Sequence, residues 1–358
     1  MIAGRRKRRL TIVMCVVLGA AAAVLAVVFH TQVGSAFARL AHVKWWWVLP
    51  ALLAEVASIG SLAHSQKYLL SAGSGKQVSL RSALASIYAG TALSLSLPFI
   101  GSGVGTAYVY RHWRRRGVDS AVVSWALTLS GLMSTLAFAL LATAGALTTR
   151  SVAAALVGLA GALLSVVPVV LLLIAVHYPK ARHRLARVVH ALLAICRKLI
   201  HHPGPNADQA FESLLDRIAS LHAKPKTYVA AFLMALRNWV AECTCLAWSI
   251  EAAGARIPWH GLLLVYCVGV TASSTGVTPG GIGIVDAALI GGLTAAGLTA
   301  SHAVTAVVLY RLISLGLVVS TGVLVTLHYA RIDRARSLAS HGDDGPGSAN
   351  DQYAGGDH

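Results

Sequence analysis

Three windows of the chain, Leu10–Phe29, Val152–Val176 and Ala303–Leu327, run for 18 or more residues with almost no charge. A bilayer core of about 30 Å is crossed by a helix of about 20 apolar residues, so each window is long enough to span one. The composition agrees. Only 12% of the residues are charged and 56% are hydrophobic, whereas a soluble domain has about 25% charged residues. The expected fold is an all-α polytopic membrane protein.

Apolar segments fall near 10–30, 45–64, 80–97, 120–146, 152–176, 227–253, 260–277, 284–297 and 303–328. The net charge of +17 is carried mainly by the stretches between them. That placement points to membrane orientation and attraction to anionic lipid head groups, and away from nucleic acid. Residues 5–9 carry five Lys/Arg, residues 111–116 four, the loop 177–226 nine against three acids, and residues 331–336 three. The loops 31–44, 147–151 and 254–259 together carry four. The positive-inside rule therefore predicts cell-membrane insertion with both termini, 65–79, 111–119 and 177–226 in the cytoplasm. The first apolar run, about 20 residues after RRKRR, exceeds the roughly 7–15 of a signal-peptide core and reads as an uncleaved anchor.

This topology contains a conflict. Residues 65–81 and 111–116 both belong on the cytoplasmic side, yet one apolar segment, 80–97, separates them. The chain must enter the membrane and return. The turning point is LSLPFIGSGVG (95–105), where Pro98 breaks the helix and Gly101 and Gly103 relax the backbone. Likewise 260–297 must begin and end outside, turning at TPGGIG (278–283) around Pro279, Gly280, Gly281 and Gly283. The expectation is about six full transmembrane helices plus two oppositely oriented re-entrant hairpins, eight to nine apolar segments in all. The hairpins precede similar sequences. At an offset of 180, Gly117 aligns with Gly297, Ala126 with Ala306, Leu132 with Leu312 and Ser134 with Ser314. Opposed orientation with internal similarity suggests an inverted repeat, the architecture that carriers use to alternate access around a midplane site.

The chain divides into a basic cytoplasmic N-terminus (1–9), one transmembrane domain (10–330) and a Gly-, Ser- and Asp-rich tail expected to be disordered in the cytoplasm (331–358). Within the domain, 183–200 and 210–221 of loop 177–226 are amphipathic and suit helices on the inner membrane surface or packed on the protein. The five cysteines, at 15, 196, 243, 245 and 267, lack metal-ligand spacing and read as core thiols without a disulfide framework.

Charges inside spans are costly and are candidate functional groups by default. They are Glu55, Arg237, Glu242, Asp286 and Arg311, with Asn238 beside them. Arg311 lies eight residues into the last apolar segment, about 12 Å deep at 1.5 Å per residue. Asp286 follows the TPGGIG break at similar depth. The two either pair to lock the hairpin or form part of a cavity in which Arg311 binds an anion. Helices beginning near 101 and 284 would direct free N–H groups to mid-depth, where a phosphate or carboxylate is favoured. Asp286 in the first turn would instead satisfy its own helix end. Arg237 and Glu242 are five residues apart and each should meet another helix; Glu55 is a candidate partner for Arg237. The candidate substrate-binding residues are Arg311, Asp286, Gly280, Gly281, Gly283, Arg111, Glu242 and Arg237. No catalytic residue, metal site or cofactor is expected: HExxH, P-loop and GxSxG patterns are absent, and GSGVG lacks the lysine of a phosphate loop.

TPGGIGIVDAALIGGLTAAGL…AVTAVVLYRLIS resembles the PGG-x-G-x-x-E…R pattern of the lysylphosphatidylglycerol synthase transmembrane-region family, a flippase-like group. SLPFIGSGVGTAYVYRHWRRRGV resembles its earlier P-x-G-G…R…G motif, and the likeness covers roughly residues 10–330. The resemblance implies a fold that moves a lipid between leaflets, and carries over Pro279, Gly280, Gly281, Gly283 and Arg311 by motif. Asp286 stands where the family usually has Glu, and Gly101 and Ser102 stand where a Gly-Gly pair is common. No soluble aminoacyl-transferase domain follows, so catalysis by this chain is not expected and a separate lipid-modifying enzyme is a candidate partner. The leading expectation is a flippase-like protein binding or translocating a phospholipid or other anionic lipid. The alternatives are a secondary transporter of a small polar solute and a non-transporting membrane scaffold.

Overall fold

Every described element is a helix, and four are long and apolar enough to cross a membrane: Trp45–Ser74, Ser120–Thr148, Pro225–Ala252 and Ala300–Val325. The computed structural model describes residues 43–148, 224–273 and 278–342, with side chains described to residue 325 in the last helix. In order the helices are α1 (Val48–Ser74), α2 (Leu80–Ser96), α3 (Gly101–Arg114), α4 (Ser120–Thr148), α5 (Pro225–Ala252), α6 (Trp259–Ser273), α7 (Ile284–Ala295) and α8 (Ala300–Gly342). Short 3-10 turns, Trp45–Trp47 and Pro279–Gly281, precede α1 and α7. The expected first span (10–30), the segment 152–176, most of loop 177–226 and the two chain ends lie outside the described residues.

The two breaks fall where the sequence places them. Helix α2 stops at Ser96 and α3 starts at Gly101. Between them Phe99 takes a left-handed φ of 58°, a conformation a bulky residue adopts only when its surroundings impose it. The second break is sharper, with Gly281 at φ 69° and Gly283 at φ 86°. A Cβ on Gly281 would also come within 2.5 Å of the Val285 side chain. Arms α2 and α3 pack as one hairpin, and α6 and α7 as another.

The last helix extends beyond residue 330. It runs unbroken to Gly342, through residues 331–342 of the predicted disordered tail. The stretch RIDRARSLASH contains no Pro or Gly, so nothing in it breaks the helix before Gly342.

Helices α1–α4 and α5–α8 repeat one pattern at an offset near 180. Helix α4 begins at 120 and α8 at 300, each after a glycine with positive φ, Gly117 and Gly297. In the first hairpin a Cβ on Gly90 would press on Val109, and in the second a Cβ on Gly269 would press on Leu289. Both are close helix approaches between matching positions. Helices α1 and α5 lie against each other along their length. Lys44 N donates to Ala252 O at 2.9 Å, and Ser58 Oγ donates to Asn238 Oδ1 at 2.9 Å. Fourteen residues forward along α1 is thus fourteen residues back along α5, so the helices are antiparallel. Ser58 and Asn238 are themselves 180 apart, which puts a pseudo-two-fold axis between them, crossing the helices.

The surface suits lipid. Leu49, Leu53 and Val56 on α1 are 61%, 59% and 46% exposed, a helical-spaced apolar stripe. Trp45, Trp46 and Trp259 are exposed at one end of the bundle, where Trp47 stacks on Trp248 at 4.9 Å between centroids. Tryptophans at one level of a helical bundle are the usual marker of a membrane–water interface.

Candidate functional site

The hairpin break after α6 is held by one guanidinium. Arg311 Nε donates to Asp286 Oδ1 at 2.7 Å, Nη1 to Gly280 O at 3.2 Å, and Nη2 to Gly281 O at 3.5 Å. Within the 3-10 turn Pro279 O accepts from Ile282 N, whereas the Gly280 and Gly281 carbonyls are met by Arg311 in place of backbone donors. Asp286 is the third residue of α7, and its Oδ2 accepts from Gly283 N at 2.9 Å. It thus satisfies a free donor at its own helix start and supplies negative charge where the helix dipole favours it. Arg311 is buried and lies eleven residues along α8, about 16 Å from its start at 1.5 Å per residue. This is close to half of a bilayer core, and deeper than the estimate from 303 because the helix begins at Ala300.

Directly before Arg311, Tyr310 Oη donates to Glu242 Oε1 at 3.2 Å. Glu242 of α5 also lies beside Tyr266 of α6 and the Arg311 charge. Glu55 of α1 faces Glu242 and Cys245. Five elements thus contribute to one buried polar centre: α1, α5, α6, α8 and the start of α7. The cluster around it is apolar, with Leu246, Val285, Leu289, Ala306 and Val307 all buried.

Other sequence candidates sit elsewhere. Arg237 does not meet Glu55; its Nε donates to Ser61 Oγ at 2.7 Å across the α1–α5 seam. Glu55 is on a different face of α1, toward Glu242. Arg111 is exposed in the last turn of α3 beside His112 and Arg114, where positive charge complements the helix C-terminus. No described hydrogen bond joins it to Arg311. Gly101 is buried where a Cβ would strike Ser94 O, so the two arms of the first hairpin touch there, while Gly103 has open space around it. Cys243, Cys245 and Cys267 are free and buried.

Sequence reasoning missed Tyr266 and Tyr310. A buried tyrosine hydroxyl needs a partner, and both tyrosines lie inside apolar segments, Tyr310 directly before Arg311; that was the available signal.

The first half contains a cavity of about 180 Å³ that is partly open. Leu62, Thr106 and Ser130 are among its lining residues. At the offset of 180 these correspond to Glu242, Asp286 and Tyr310. The neighbouring Gly131 corresponds to Arg311. This location is a partly open space with mixed apolar and hydroxyl lining in one half, whereas in the other Tyr310 and Arg311 are buried.

The sequence model of the family described as "Lysylphosphatidylglycerol synthase TM region" matches residues 12–322. No curated protein sequence matches the chain.

Proposed function

The chain belongs to the lysylphosphatidylglycerol synthase transmembrane-region family, and from that premise we propose that it carries an anionic lipid between membrane leaflets. It is an integral membrane protein, and the carrier reading concerns what its two halves do. The observation that supports it best is the unequal state of matching places. Around Leu62, Thr106 and Ser130 the first half is partly open, whereas Tyr310 and Arg311 of the second are buried beside a packed apolar cluster. A pseudo-two-fold axis across antiparallel helices inverts one half relative to the other in the membrane. Such halves can exchange open and closed forms and expose a site to each side in turn.

In this reading the two hairpins are re-entrant and meet the membrane from opposite faces, with the 279–281 turn packed on α2. The lipid head group enters this cavity, where the Thr106 and Ser130 hydroxyls stand among apolar residues. Arg311 is the cation available to its phosphate when the second half opens and the Asp286 pair loosens. Three of the five guanidinium donors are used in the closed form, which leaves two for an anion. The chain performs no chemistry on the lipid, which is delivered by a separate lipid-modifying enzyme.

Purified protein in vesicles with head-group-labelled phosphatidylglycerol tests this. Protein-dependent movement of label between leaflets is expected, and transfer no faster than in empty vesicles would contradict it. Uptake of a polar solute without lipid transfer would instead favour the small-solute carrier.

A further inference from the structure

In the second half Arg311 pairs with Asp286 and lies near Glu242, and Glu55 faces Glu242. Arg311 is committed to Asp286 and to the carbonyls of Gly280 and Gly281. Arg237 points to Ser61. Among the described residues, no basic side chain forms an ion pair with Glu55 or Glu242. Glu242 still has compensation: it accepts the Tyr310 hydroxyl and feels the Arg311 charge. Glu55 does not. It is 3% exposed and its Oε2 has no hydrogen-bond partner among the described residues.

Among the described residues, charged and titratable groups from several helices face the two acids. Glu55 meets Glu242 and Cys245 of α5, Tyr88 of α2 and Tyr310 of α8. Glu242 meets Glu55 of α1, Tyr266 of α6, Tyr310 and Arg311 of α8, and the nearby thiols of Cys243 and Cys245. The Tyr266 hydroxyl, in a residue 1% exposed, sits beside Glu242 without a hydrogen bond of good geometry. A carboxylate oxygen of Glu55 and the phenol oxygen of Tyr266 are thus both buried without a hydrogen-bond partner among the described residues, each in a residue beside Glu242. An unpaired charge in such a place costs far more than a surface charge.

We propose that Glu55 and Glu242, with the hydroxyls of Tyr266 and Tyr310, form an intramembrane site for one exchangeable monovalent cation, a sodium ion or a proton. The oxygen donors suit a hard cation. A divalent ion is disfavoured: calcium takes six to eight oxygens, and magnesium keeps several waters, which this apolar shell has little room for. One positive charge answers the one acid that, among the described residues, neither a cation nor a hydroxyl compensates. The site adjoins the pseudo-axis, since Ser58 is three residues beyond Glu55 and Asn238 is four before Glu242. A cation that holds α1 and α5 together there favours the form in which the seam is tight. Its use as the driving ion rests on the carrier reading; its binding does not.

The test uses the purified full chain in detergent, without lipid transport. Thermal unfolding is followed as sodium chloride replaces choline chloride at constant ionic strength. Infrared spectra in H₂O and D₂O at neutral pH report the carbonyl stretch of a protonated carboxyl. If the ion is sodium, wild type gains a few degrees in Tm with sodium, and Glu242→Gln and Tyr266→Phe lose most of that gain. If it is a proton, sodium has no effect, and wild type carries a protonated-carboxyl band that disappears in Glu55→Gln. Should Glu55→Gln fail to fold, Tyr266→Phe, which keeps the ring, is expected to shift that band. Glu251→Gln, at the end of α5, behaves as wild type. Absence of both responses, or a sodium response that Glu242→Gln and Tyr266→Phe retain in full, overturns the proposal. Because no lipid is moved, these failures are distinct from failure of the carrier reading.

Discussion

Arg311 and Asp286 are joined at 2.7 Å between Nε and Oδ1, and the same guanidinium holds the two carbonyls of the turn that precedes Asp286. The pair is therefore one side of a three-point clamp on a helix break, and the two residues are not equivalent. Removing Arg311 strands a carboxylate and two carbonyls; removing Asp286 strands one cation that keeps its carbonyl contacts.

Arg311→Ala is accordingly expected to cost about 3–5 kcal/mol, the usual loss when one member of a buried pair is removed, and Asp286→Ala less. The double variant should recover only part of the loss, because the carbonyls of Gly280 and Gly281 stay unpaired. Thermal unfolding of the four proteins in detergent checks this. Full recovery in the double variant would mean that the carbonyl contacts contribute nothing.

The break itself gives a second expectation. Gly281→Val meets both a left-handed φ and the Val285 side chain, whereas Gly291 has open space around its Cβ position within α7. Gly281→Val should lose folded protein in the membrane, and Gly291→Ala should remain near wild type or gain up to about 1 kcal/mol from helix propensity. Membrane abundance and Tm of the two variants decide it; equal behaviour would count against a special backbone at the break.

A third expectation concerns the seam on the pseudo-axis. Asn238→Ala leaves the buried Ser58 hydroxyl without its acceptor, at about 1–3 kcal/mol. Ser58→Ala in that background should then cost little more, so a double-mutant cycle should show coupling of about 0.5 kcal/mol or above. Additive losses would mean that the bond does not hold α1 to α5.

The helix breaks were readable because they are written in local chemistry. Pro98 and Pro279 with their glycines forbid a continuous helix, and basic runs such as Arg114–Arg116 then require the chain to turn back. The Asp286–Arg311 pair was also accessible, since few charges exist at that depth. The meeting of Glu55 with Glu242 was not. It depends on α1 and α5 crossing antiparallel at Ser58 and Asn238, a register that no local pattern encodes, and Arg237 was the more obvious partner by charge. Tyr310 went unnoticed because tyrosine in an apolar span resembles any other large side chain. The cavity was hidden for the opposite reason. Thr106, Ser130 and Gly131 are unremarked small residues until the offset of 180 sets them against Asp286, Tyr310 and Arg311.

The cavity offers the most direct test of the carrier account. Ser130 lines it, and Ser130→Trp would fill much of its space while leaving the Arg311 clamp untouched. The measurement is transfer of head-group-labelled phosphatidylglycerol between leaflets of vesicles that contain equal amounts of folded wild-type or Ser130→Trp protein. The account predicts protein-dependent transfer by wild type and at least a tenfold loss in the variant, about 1.4 kcal/mol or more of barrier, with Tm little changed. Transfer by the filled variant at the wild-type rate would contradict it.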